Sequence, residues 1–89
     1  MMDRVKKMAI ESIDEKLKID ENFIRYSFYE LRIKDDLSES ETNRFLEICS
    51  NYFKNKGYNV YLQGDKFVYD NSNRVVQDNE MMIAIKPNK

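Results

Sequence analysis

Few side chains in this 89-residue chain are able to do chemistry, and their types narrow what it can be. There is no histidine, which removes the commonest general base and the commonest zinc ligand. The one cysteine, Cys49, shares an apolar helical stripe with Phe45, Leu46, Tyr52 and Phe53, the setting of an inert core thiol rather than a nucleophile. Asp35, Asp36, Glu39 and Glu41 gather ahead of that stripe. Such carboxylates can hold a hard cation in principle, but turn chemistry and the helix dipole already account for acidic residues there. The run DNSNRVVQDNE, Asp70 to Glu80, has acids without the glycine or the spacing of a calcium loop, and reads as turn, strand, turn. With two glycines and one cysteine, no phosphate-binding loop, nucleophile elbow or paired-cysteine metal motif is present. No catalytic, cofactor or metal residue is therefore expected, no small-molecule substrate is evident, and the protein is read as a non-enzyme.

Recognition is the chemistry that remains. Tyr61 with Lys66 and Arg74, joined by Arg25 and Arg32, could combine base stacking with phosphate contact. The charge balance does not favour this: fifteen basic and sixteen acidic side chains leave a formal charge of -1, so only a local patch could attract nucleic acid or an anionic membrane. The helix ahead of Tyr58 mixes Glu39, Glu41 and Glu47 with Arg44, Lys54 and Lys56 on its polar side, and it is expected to stand alone there, with no second short helix before it across a tight turn.

The elements that must position these residues follow from periodicity. From Asp3 to about Lys18, Val5, Met8, Ala9, Ile13 and Leu17 recur at three- and four-residue steps, with Asp3/Lys7 and Asp14/Lys18 as i,i+4 pairs, which predicts an amphipathic helix. The segment Phe23–Lys34 (FIRYSFYELRIK) is rich in aromatic and branched residues and reads as a strand, although Ile24, Phe28 and Leu31 also fit one helical face. As a strand its apolar set changes side near Phe28-Tyr29, which predicts a bulge. Ser38 with Glu41 three residues on makes a capping box for a second helix, and Gly57 supplies its left-handed stop. Tyr58 then falls where a Schellman cap packs its apolar residue on Phe53.

Beyond Gly57 the period changes to two. Gly64-Asp65 fits a two-residue hairpin turn, and Asp70–Asn73 and Gln77–Glu80 are further turn clusters, which predicts a three- to four-strand antiparallel meander. Carrying the register through these turns puts Tyr58, Val60, Leu62, Phe67, Tyr69, Val76, Met81, Ile83 and Ile85 on the face a helix such as Ser40–Lys56 covers. Tyr61, Val68, Val75 and Met82, with Ala84 beside them, fall in a row on the opposite face. The first helix or the rest of the Phe23–Lys34 segment could cover that row, or a protein partner or second copy could.

The resulting expectation is one α+β domain over residues 1–89: an N-terminal helix, one strand, a second helix, and the meander packed on that helix. The apolar run Met8-Ala9-Ile10 ends at Glu11, too short for a signal peptide or membrane span. With a single cysteine as well, the protein is read as cytoplasmic with no membrane partner. Abundant Asn, Lys, Asp, Ile and Tyr are compatible with a phage or mobile-element product. The leading functional expectation is a small accessory or inhibitory module that buries Tyr61, Val68, Val75 and Met82 against a protein or a second copy. The alternative is nucleic-acid binding through Tyr61, Lys66 and Arg74.

Overall fold

A computed structural model describes residues 2–63, 68–69, 75–77 and 81–88. The chain runs α1 (Met2–Ile19), β1 (Phe23–Ser27), α2 (Phe28–Ile33), α3 (Glu39–Asn55), β2 (Asn59–Gln63), β3 (Val68–Tyr69), β4 (Val75–Gln77) and β5 (Met81–Ile85). It is a small α+β fold whose helices pack on a three-stranded antiparallel sheet of order β1-β5-β2.

The expected capping box is present at the start of α3. Ser38 Oγ accepts from the Glu41 backbone N–H at 3.1 Å, and the Glu41 carboxylate accepts from the Ser38 N–H at 2.9 Å. That second bond, helped by Arg4 on α1 at 2.9 Å, holds the Glu41 carboxyl below its usual range. A carboxyl with a depressed folded pKa adds stability above its unfolded pKa and loses it as pH falls through the folded one. Replacing Ser38 orphans one helix N–H, so Ser38→Ala is expected to lower stability by about 1 kcal/mol, read as a shift in the urea midpoint.

The other end of α3 closes as a Schellman cap. Gly57 takes φ +88, its N–H donates to the Lys54 carbonyl, and the Tyr58 N–H donates to the Phe53 carbonyl at 2.9 Å. The Tyr58 ring meets Phe53 edge-on, with centroids 5.0 Å apart. This cap turns the chain out of the helix and delivers it to β2.

The segment from Phe23 to Lys34 departs from the expected strand. Only β1 is extended, and the change of side at Phe28-Tyr29 marks a switch to helix rather than a bulge. Ser27 caps α2 by accepting from the Glu30 N–H, so Ser27-Phe28-Tyr29-Glu30 is a helix-start signature in its own right. Phe28 and Leu31 are the buried residues of this short helix, which matches the helical face that the apolar spacing also allowed.

A single core joins the layers. Val5, Ala9 and Ile13 of α1, Phe45, Leu46, Cys49 and Phe53 of α3, Ile24 and Tyr26 of β1, and Met82 and Ala84 of β5 all belong to it. Because side chains alternate along each strand, the cross-strand rows Ile24–Ala84–Val60 and Tyr26–Met82–Leu62 share the face toward the helices. Helices α1 and α3 therefore lie on the same side of the sheet, and α1 packs on α3 instead of covering the opposite face.

Candidate interaction surface

The face turned away from the helices carries the rows Phe23–Ile85–Asn59 and Arg25–Ile83–Tyr61, with the pair Ser27–Met81 beyond them. A one-sided antiparallel sheet ordinarily presents polar residues to water. Here Phe23 and Tyr61 are each 47% exposed and Ile85 is 38% exposed, around an Ile83 that is 8% exposed. Ile83 lies outside the helix-side core and is flanked by Arg25 on one strand and Tyr61 on the other. The result is an aromatic and aliphatic surface with one guanidinium, built on paired strands and backed by a packed core.

Four expected placements are corrected. Met82 and Ala84 are wholly buried against the helices, while Ile83 and Ile85 occupy the outer face, so the parity of β5 is the reverse of that expected and Met82 does not join Tyr61. The meander is not the order of the main sheet, because β2 pairs directly with β5 and β3–β4 forms a separate two-stranded sheet. Val68 stands opposite Gln77 and Val75 opposite Tyr69 across an irregular register, so the expected neighbours of Tyr61 do not line up beside it. Tyr61 itself keeps its place on the second face. Leu62, expected in the core, is 70% exposed at the edge of the helix-side face.

Of the residues named for nucleic acid, Arg25 shares the row of Tyr61, and Arg32 sits half-buried on α2 rather than on a strand of the sheet. Lys66 and Arg74 lie outside the described residues, as do the turns at Gly64-Asp65 and Asp70–Asn73. The outer-face residues Phe23, Ile83 and Ile85 escaped the sequence reading. For Ile83 and Ile85 the signal was present in MMIAI, where apolar residues occupy both parities, so one set had to face away from the helices.

Groups with chemical potential are held in structural roles. Burial pushes the Cys49 thiol up to about 12, which leaves it protonated and unreactive at neutral pH. Tyr26 is likewise raised above its usual range by burial, and its hydroxyl accepts from Ser12 Oγ at 3.0 Å. Lys16 lies over the Tyr26 ring at 5.0 Å and donates to the Arg25 carbonyl at 2.8 Å. Ser12, Lys16 and Tyr26 line a small open cleft of about 140 Å³ with Ser27, Glu30 and Lys34, and the Ser12 and Tyr26 hydroxyls, the Lys16 ammonium and the Ser27 hydroxyl are all engaged in hydrogen bonds. Among the described residues no group of three or more acidic or cysteine side chains could hold a metal ion, and no helix is long and apolar enough to cross a membrane. Compared with protein-family models, curated proteins and solved structures, the chain matches none.

Proposed function

We propose that the protein is a small non-catalytic interaction module, acting in the cytoplasm, that buries the outer sheet face against a protein partner. One observation carries this reading: both long helices pack on one side of the sheet, leaving Phe23, Tyr61, Ile83 and Ile85 together on the other. Aromatic residues and arginine are enriched at the centres of protein interfaces, where lysine and acids are depleted. Tyr61 is the expected anchor, since its ring buries much area while only two torsions are immobilised.

Phe23→Ala, Tyr61→Ala and Ile85→Asp alter exposed residues, so each is expected to leave the fold intact. Tyr61→Ala is expected to weaken partner binding by about 2 kcal/mol, near 30-fold. The readout is capture from host lysate with and without nuclease, followed by titration of the identified partner. Capture that survives Tyr61→Ala and Ile85→Asp in folded protein sinks the proposal.

The row Arg25–Ile83–Tyr61 favours one other reading, because a cation and an aromatic ring on a sheet are what a single-stranded nucleic acid uses. Phosphate-driven binding weakens steeply with salt, whereas apolar burial does not. A domain that fails to shift single- or double-stranded DNA and RNA at low salt excludes this alternative.

A further inference from the structure

The two edges of the main sheet are not alike. On β1, Lys16 covers the free edge by donating to the Arg25 carbonyl, and the chain turns at once into α2. Natural sheets guard their edges with devices of this kind, lysine prominent among them. The β2 strand has no such device of its own, since Asn59-Val60-Tyr61-Leu62-Gln63 contains no charge, proline or glycine. Among the described residues β2 pairs with β5 alone, and Val68 and Tyr69, expected across from Tyr61 and Val60, pair with β4.

The direction of the unpaired groups follows from the ladder. The Arg25 carbonyl points away from β5, because Lys16 reaches it there. In an antiparallel ladder, backbone groups alternate in direction along each strand, and residues directly opposite either exchange both bonds or none. Arg25 and Ile83 are thus a non-bonded pair, Ile83 turns its backbone groups toward Tyr61, and the N–H and C=O of Val60 and Leu62 face the open edge. The Lys86 N–H to Asn22 carbonyl bond, three residues along from Arg25, has the parity this alternation requires.

The strand that fits this edge is a copy of itself. Read in either direction, β2 runs amide, aliphatic, tyrosine, aliphatic, amide. We propose that two copies of the chain pair antiparallel along β2 about a two-fold axis at Tyr61, giving a continuous six-stranded sheet. Val60 then lies opposite the partner's Leu62, Asn59 opposite the partner's Gln63, and Tyr61 opposite the partner's Tyr61. Val60 and Leu62 exchange four backbone hydrogen bonds across the axis, and no charge opposes a like charge. The pairing also accounts for Leu62, which is 70% exposed on the helix-side face and gains an aliphatic neighbour there. An axis perpendicular to the sheet keeps both copies of α3 on one side and joins the two outer faces into one surface. This self-association is independent of what the outer face binds.

Sedimentation velocity across micromolar to millimolar protein tests it, with folding followed by circular dichroism. Leu62→Pro removes an N–H that faces the open edge, which an edge strand tolerates. It is expected to leave a folded monomer whose self-association is weakened on the order of 100-fold, two backbone bonds being lost per dimer. Leu62→Lys, which keeps the N–H and adds charge at the seam, is expected to weaken the dimer as well. Opposite residues of a non-bonded antiparallel pair lie about 4.5 Å apart between Cα atoms, within disulfide reach. Tyr61→Cys should therefore form a covalent dimer on oxidation, and Phe23→Cys should not. A wild-type protein that stays monomeric throughout overturns the proposal, as does a dimer that resists Leu62→Pro but dissociates with Ile85→Asp.

Discussion

Met82→Asp is expected to abolish the folded state at neutral pH, while Ile85→Asp, three residues along the same strand, leaves it intact. Met82 is wholly buried in the central strand, paired with Tyr26 on one side and Leu62 on the other, and sits in the core shared by α1 and α3. An aspartate there meets no cation in its cross-strand row, so it must either ionise in an apolar setting or take up a proton. Both routes cost several kcal/mol, and the lost thioether packing adds about 2 kcal/mol or more. A domain of this size has roughly 4–13 kcal/mol of stability in total. Ile85 faces outward and is 38% exposed, so a carboxylate there remains hydrated. Far-UV circular dichroism and urea titration of the two variants decide the matter. A folded Met82→Asp together with an unfolded Ile85→Asp would restore the opposite strand parity and remove the interface described above.

That parity shows where the sequence stops being legible. The second long helix could be read from its residues because local signals agree there: the Ser38/Glu41 box, one apolar stripe, and a glycine followed by an apolar residue are all short-range. Strand β5 offers no such agreement. In MMIAI both parities are apolar, so alternation does not say which set faces the helices, and the answer depends on the pairing partner. The expectation reached β5 through two turn clusters, and any one-residue error on the way reverses every side chain. The direct pairing of β5 with β2 and β1, distant in sequence, is a tertiary fact.

The other local error had a readable cause. Ser27 and Glu30 have the spacing of a capping box, and Phe28 and Leu31 follow a helical step, yet the aromatic and branched residues around them favour strand. Strand propensity and the cap point to different elements here, and the cap is the more specific signal. Of the candidate interface residues, Tyr61 could be placed from sequence because β2 follows directly from the Gly57 stop. Phe23 could not, because its exposure depends on β1 lying beside β5. The interface is thus assembled from strands that only folding brings together.

Phe53→Ala is expected to cost about 3–5 kcal/mol and to lower the melting temperature by about 15 °C or more. Phe53 is fully buried at the end of α3, with its ring edge-on to Tyr52 at 5.2 Å and to Tyr58 at 5.0 Å. Its carbonyl also accepts from the Tyr58 N–H at 2.9 Å, and the Tyr58 hydroxyl donates to the Glu21 carbonyl at 2.6 Å. One buried ring therefore supports the cap that starts β2 and, through Tyr58, the turn that starts β1. Truncation leaves a cavity beside the Tyr52 and Tyr58 rings, at the point where α3 hands the chain to β2. Tyr58→Phe keeps the ring and deletes the hydroxyl bond, for an expected loss of about 1 kcal/mol. The double variant Phe53→Ala/Tyr58→Ala is expected to lose less than the sum of the two single truncations, because the contact between the rings can be lost only once. Thermal and urea denaturation of the set measures this. Strict additivity would show that Phe53 fills space in the core without holding Tyr58, and β2, in place.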